Sequence, residues 1–292
     1  MPCLIDAKTR LTATARGFVR LDGLAFADDQ ASFLNGSTGK IFNPIRLDEM
    51  GNDIGLLAVI TGTIAAGVLS SGYDCSDWSS TSGNAAIGLT TDGPGAWSDG
   101  AVTSSSTVVD HIFCFMSTKN AALTPTPVGG KKIFASNSPF TVGGSDSPDA
   151  ACRKGTMPAG VDSANVFAFV ATTTAAASSS DKFAATTAQR YVRPDGQVVG
   201  TGAQIAAGGI LDSGIWQQAN ESYFGGSNRV WAGGALRPNQ LGTAANTCSD
   251  WTDNSGTTAA YGLINAGSPY WWHSNLSSPC SFATGYLICV EK

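Results

Sequence analysis

The sequence predicts an α+β fold assembled from two copies of one domain, each with short antiparallel strands, long loops and disulfide staples. Three observations predict it: a series of motifs that occurs twice in the same order, brief apolar segments bounded by Gly or Ser, and seven cysteines in a chain poor in charge.

The repeat comes first because it sets the domain organisation. Cys75-Ser-Asp-Trp78 recurs as Cys248-Ser-Asp-Trp251. Upstream, Val59-Ile-Thr-Gly62 matches Val230-Trp-Ala-Gly233; downstream, Ile112-Phe-Cys114-Phe matches Leu287-Ile-Cys289-Val. Cys75 to Cys114 spans 39 positions and Cys248 to Cys289 spans 41. Further back, Cys3 stands 15 positions before Phe18, as Cys152 stands 15 before Phe167. Phe42-Asn-Pro-Ile-Arg46-Leu-Asp48 then parallels Tyr191-Val-Arg193-Pro-Asp195-Gly196. That alignment leaves 11 positions from Asp48 to Val59 but 35 from Asp195 to Val230, so it predicts an inserted loop over about 201–228. The expected domains are 1–120 and 132–292, joined by a Pro/Gly linker over 121–131. Lys132-Ile-Phe134-Ala gives the second copy a leading strand that the first lacks, so the first domain is expected to miss its opening strand and the chain to be the distal part of something longer.

Local patterns supply the elements. Val166–Val170, Gly285–Val290 and His111–Met116 are apolar, rich in β-branched or aromatic residues, and read as strands. Ser147 before Pro148 and Asp149 reads as the cap of one short helix.

Composition excludes several classes. Charged residues make up 13% and net charge is -5, against a helical bundle or coiled coil and against nucleic acid, whose phosphates demand basic clusters. The stretch from Ile54 to Leu69 is too short and too broken by glycine to span a bilayer, so no membrane insertion is expected. No Gly-x-Ser-x-Gly elbow, His-Glu-x-x-His pair or phosphate loop occurs, so no catalytic residue is assigned and the chain is read as a non-enzyme. His111 and His273 are too few for a His-rich metal site, and no metal or cofactor is expected. The four cysteines of the second copy allow three pairings, and such cross-links imply an oxidising, extracellular or cell-surface setting.

The ordered series Cys152, Val230-Trp231-Ala-Gly233, Arg237-Pro238-Asn239, Cys248, Trp271-Trp272, Cys280 and Leu287-Ile-Cys289-Val-Glu291 resembles C-type lectin-like domains. Within them it resembles the bacterial surface-protein branch of endostatin-like and uncharacterised lectin-like domains. The resemblance implies Cys152–Cys289 and Cys248–Cys280 bridges in the second copy and a Cys3–Cys114 bridge in the first. No cysteine stands at the place of Cys280 in the first copy, which leaves Cys75 as a thiol outside the bridges. Sugar-binding members hold calcium with a Glu-Pro-Asn or Gln-Pro-Asp turn and a Trp-Asn-Asp motif. Here Arg237-Pro238-Asn239 and Trp272-His273-Ser274-Asn275 lack the carboxylates, so that calcium site is expected to be absent.

Two segments then become candidate ligand surfaces: Tyr270, Trp271, Trp272, His273 and Asn275 beside Arg237 and Asn239, and Trp216 with Tyr223 in the inserted loop. The expected function is an extracellular adhesion or recognition module that binds a cell-surface glycan or a surface protein of another cell, at the tip of a fibre or adhesin. The alternative is a structural assembly module, such as a trimer, that buries the same aromatic surfaces between subunits.

Overall fold

Runs of three to six residues are all that this chain commits to one extended conformation before a Gly, Pro or Ser turn, and the architecture follows from that brevity. The computed structural model describes residues 11, 14–36, 39–64, 67–80, 82–104, 111–116, 120–226, 228–233, 236–255, 258–282 and 284–292. The chain divides into unit 1, Met1–Thr126 with Phe224–Gly226, and unit 2, Pro127–Tyr223 with Ser227–Lys292.

Unit 1 contains β1 (Arg16–Val19), β2 (Ala25–Asp29), helix α1 (Gln30–Leu34), β3 (Ala58–Ile60), β4 (Asn84–Leu89) and β5 (Ala101–Ser104). β1 and β2 form a hairpin, and β3-β4-β5 form an antiparallel sheet. An aromatic cluster of Phe18, Phe26, Phe33, Trp97, Phe113 and Phe115 fills its core, with Trp97 Nε1 donating to the Phe33 carbonyl at 3.0 Å.

Unit 2 contains β6 (Lys131–Ala135), α2 (Pro148–Cys152), β7 (Val166–Ala168), β8 (Arg190–Val192), β9 (Val198–Thr201) and α3 (Gly202–Ala207). It continues with β10 (Arg229–Trp231), β11 (Thr258–Leu263), β12 (Ser277–Pro279) and β13 (Tyr286–Glu291). Its strands make one mixed sheet in the order β12-β11-β10-β13-β6-β8-β9, with β7 also on β13. β13 is central, parallel to β10 and antiparallel to β6 and β7, so Leu287 to Val290 are buried on both faces.

The α+β expectation is corrected: the molecule is mostly sheet, 25% strand against 11% helix. Helices α1, α2 and α3 run only five or six residues. They exist where a cap is available: Asp29, Ser147 and Thr201 accept from the backbone, and Thr201 with Gln204 makes a full capping box. Nothing lengthens them, because the segments that follow are Gly- and Ser-rich rather than amphipathic. Of the expected strands, β7 covers only Val166–Ala168, and His111–Met116 makes a single bridge, Val59 to His111.

Cys152–Cys289 and Cys248–Cys280 are disulfides, the pairing that the resemblance implies. Cys75 is buried and belongs to neither bridge. Cys114 is exposed and unbridged; Cys3, its expected partner, lies outside the described residues.

Strand pairing fixes how the repeats correspond. Phe18 faces Ala27, Val19 faces Ala25, and a bulge separates the two pairs; Tyr191 faces Gly200, Val192 faces Val198, with the same bulge between them. Hence Phe18-Val-Arg20-Leu-Asp22-Gly23 corresponds to Tyr191-Val-Arg193-Pro-Asp195-Gly196. β1, β2 and α1 of unit 1 match β8, β9 and α3 of unit 2. The segment 201–228 is therefore no insertion: it carries α3 and a two-residue bridge, Gln217 to Tyr223, that matches Leu47 to Asp53. What unit 2 has beyond the described residues of unit 1 lies in α2 and β7; the place that β6 takes beside β8 is taken beside β1 by the chain at Asn120, which pairs in parallel with Arg16.

Candidate functional site

The Cys-Ser-Asp-Trp motifs form tight helical turns with an unusual backbone. Cys248, Ser249, Asp250 and Trp251 have φ of 51°, 52°, 53° and 71°, and Cys75, Ser76 and Trp78 have 51°, 57° and 61°. For non-glycine residues this left-handed conformation costs about 1 kcal/mol each. Hydrogen bonds from the Trp251 N–H to the Thr247 carbonyl and from the Trp78 N–H to the Asp74 carbonyl close the turns.

In unit 2 the strained turn carries Asp250 to the wall of a cleft of about 130 Å³. Its carboxylate accepts from the Thr173 N–H and Oγ1, both at 2.7 Å, and from Thr247 Oγ1 at 3.2 Å. Burial pushes the Asp250 carboxyl up, and the hydrogen bonds from Thr173 and Thr247 more than offset it, holding it below the usual carboxylate range. Across the cleft, the Ser147 cap starts α2 and sets Asp149 in its first turn. Asp149 accepts from the Ala168 N–H at 2.9 Å and from Lys182 Nζ at 3.0 and 3.1 Å. Val170, Ala175, Ala176 and the edge of Trp251 supply the apolar part of the lining.

Two properties define what this arrangement can do. The Asp149–Lys182 pair is internally neutralised, and the hydroxyl-bearing residues Ser147, Thr172 and Ser179 share the lining with it. The volume is below the roughly 300 Å³ of pockets that enclose a whole ligand, so the cleft grips one ring or side chain of something larger.

The structure rearranges the expected site. Trp271 and Trp272 are corrected from surface to core: they are 1% and 0% exposed. Trp271 Nε1 donates to the Gly209 carbonyl at 3.0 Å, beyond the Gly208 cap of α3, and Trp272 packs against Phe169 at 5.5 Å. Tyr270 keeps 39% exposure, Asn275 is exposed with a φ of 60°, and His273 is half-buried against it. Arg237 and Asn239 are exposed; the Pro238 between them is buried, and its carbonyl accepts from the Ser178 N–H on the segment that forms one cleft wall. Arg237 and Trp271 thus converge on the α3 cap.

Trp216 is likewise corrected: it is fully buried, and the Arg193 guanidinium lies 5.0 Å above its ring. Tyr223 is half-buried and donates to Asp195, which is paired with Arg193 at 2.8 Å. These two residues belong to the scaffold that holds the Arg193-Pro-Asp195-Gly turn.

Asp149, Lys182 and Asp250 were not singled out from the sequence as site residues. The available signals were the Asp inside the repeated Cys-Ser-Asp-Trp motif and the Asp in the capped turn after Ser147. Among the described residues, no group of three or more His, Cys, Asp or Glu side chains is placed to hold a metal ion. No helix among them is long and apolar enough to cross a membrane. No family model matches the chain, and no curated protein matches it. The lectin-like resemblance accordingly rests on the short motifs quoted above.

Proposed function

We propose that this chain is an extracellular, surface-displayed recognition module that acts by binding, not catalysis, and that unit 2 takes a glycan of a cell envelope in the Asp250–Lys182 cleft. The observation that carries this reading is the cleft itself: hydroxyls, a carboxylate and a neutralised ion pair alternate with Val170, Ala175 and Ala176 on a rigid, disulfide-tied frame. A sugar ring presents the complement, hydroxyls at its edge and C–H bonds on its face. The two disulfides fit an oxidising extracellular environment.

The test is a screen of the full chain against cell-envelope glycans, with and without EDTA. Binding insensitive to EDTA and lost in Lys182→Ala and Thr172→Ala, with circular dichroism unchanged, is the expected result. Binding that survives both substitutions, or an absence of binding across the screen, sinks the reading.

A further inference from the structure

Unit 1 carries smaller side chains than unit 2 at two matched core positions. A Cβ on Gly88 would strike the Trp97 carbonyl and Ser98 Cα, and one on Gly262 would strike the Trp271 carbonyl and the Trp272 backbone, so Trp97 corresponds to Trp271 and Ser98 to Trp272. Strand pairing gives the second match: Ile60 faces Ile87 as Trp231 faces Tyr261. Two buried indoles of unit 2, Trp231 and Trp272, thus give way to Ile60 and Ser98. Beside them lies a cavity of about 20 Å³, whose wall includes Thr61, Thr63, Trp97, Ser98, Phe113 and Phe115. Thr63 and Ser98 are each 1% exposed, yet Thr63 Oγ1 and Ser98 Oγ find no hydrogen-bond partner among the described residues. Thr61 Oγ1 is engaged: it donates to the Ser98 carbonyl at 2.5 Å, which leaves a lone pair free to accept.

We propose that this cavity is a binding site for one structural water, which completes the hydrogen bonds of Thr63 and Ser98 and takes the space-filling part that Trp272 plays in unit 2. Size selects the occupant. One water needs roughly 10–15 Å³ for its centre, so a cavity of about 20 Å³ takes a single molecule and excludes a ring. Chemistry selects it as well. The wall offers hydroxyls and aromatic faces but no carboxylate, imidazole or thiol to hold a metal ion. An apolar guest would leave both buried hydroxyls unpaired, at the full cost of their desolvation. A water pairs with Thr63 and Ser98 and can donate its remaining proton to Thr61 Oγ1, the three partners that internal waters usually have. It thereby ties the Thr63–Leu69 bridge to the turn at Trp97 and Ser98, two parts of unit 1 that Thr61 alone otherwise links through its side chain.

The test is oxygen-17 magnetic relaxation dispersion on the full chain, which counts long-held internal waters, with Thr63→Val/Ser98→Ala as the comparison. The expected result is a dispersion amplitude lower by one water in the double variant, with circular dichroism unchanged. Should the double variant fail to fold, Thr63→Val alone carries the test, because valine keeps the shape of the threonine. In that variant the residence time of the water should fall about fivefold, the worth of one hydrogen bond, and the urea midpoint should fall with it. An amplitude that is the same in wild type and double variant overturns the proposal. So does a urea midpoint that rises in Thr63→Val, since the hydroxyl would then have had no partner to lose. The glycan screen reads unit 2 alone, so either idea fails without the other.

Discussion

Units 1 and 2 place the same devices at the same positions and finish them differently. Each contains a bulged hairpin whose turn holds an Arg-x-Asp pair: Arg20 with Asp22, Arg193 with Asp195. Each Arg also reaches forward to a carbonyl, Pro44 in one and Gly214 in the other. Gly88 and Gly262 both lie where any Cβ would strike the backbone of a buried tryptophan, Trp97 and Trp271. Unit 2 then adds α2 and β7, closes both faces of β13, and ties the closure with a disulfide. The added segments are also what builds the cleft: Ser147, Asp149, Val170, Thr172 and Lys182 all come from them or from the chain just after them. In this molecule closing the core and creating a binding surface are one structural event.

Removing the tie should give the largest difference between the units. The Cys152–Cys289 bridge closes a separation of 137 residues, for which loop-closure entropy gives about 4 to 5 kcal/mol. Cys152→Ala with Cys289→Ala should collapse amide protection across 131–292 in hydrogen-exchange mass spectrometry. Cys114→Ala, at the corresponding place in unit 1, should change protection there by less than about 0.5 kcal/mol. Comparable losses from the two would break the distinction.

Next come the paired arginines. Arg193 is completely buried and Asp195 is 13% exposed, whereas Asp22 is 37% exposed. Arg193→Ala strands a buried carboxylate beside Tyr223 and Trp216 and should cost about 3 kcal/mol; Arg20→Ala should cost about 1. Urea midpoints of the two variants give the ratio, and equal shifts would show that burial does not set the worth of this turn.

A pH limb separates the units at a third level. Burial pushes the Tyr191 phenol up to about 12, while in an unfolded chain it ionises near 10. The folded state keeps the proton longer, so this contribution is complete below pH ~10 and fades as pH rises toward 12, a loss of about 2 kcal/mol. Phe18 holds the matching position in unit 1 and has no proton to lose. Tyr223 is also pushed up by its burial and adds to the limb. Tyr191→Phe should therefore remove about half of the fall in urea midpoint between pH 9 and 11.5; a variant with an unchanged fall would place the alkaline sensitivity elsewhere.

The duplication was legible in the sequence, but its register was not fully so. Cys-Ser-Asp-Trp and the Val-x-x-Gly strands align correctly because cysteine, tryptophan and glycine have few substitutes at a strained turn or a close backbone approach. Phe18-Val-Arg-Leu-Asp-Gly23 matches Tyr191-Val-Arg-Pro-Asp-Gly196 more closely than the Pro-centred Phe42–Asp48 does, and the expected insertion is a product of the Pro-centred alignment. Burial was less legible still. Tyr270-Trp-Trp-His is equally compatible with a surface patch and with a core filler until the Gly209 carbonyl and Phe169 are known to meet it. Asp149 and Lys182 stand 33 positions apart, and only the packing of α2 against the following segment brings them together.

The smallest expected effect bears on what the units share. Ser76 and Ser249 are exposed, have φ of 57° and 52°, and sit at the second position of their turns. Glycine adopts that region without penalty but loses more freedom on folding, two terms of opposite sign and similar size. Where the left-handed turn is held in the native state, removing the Cβ penalty outweighs the entropy, and Ser76→Gly and Ser249→Gly should each stabilise by about 0.5 to 1 kcal/mol. The sign of the shift in urea midpoint is decisive. A right-handed turn at either site would make its substitution destabilising by a similar amount. Two stabilising shifts of equal size would also show that the Cys248–Cys280 bridge is not what imposes the turn, since Cys75 takes the same backbone outside either bridge.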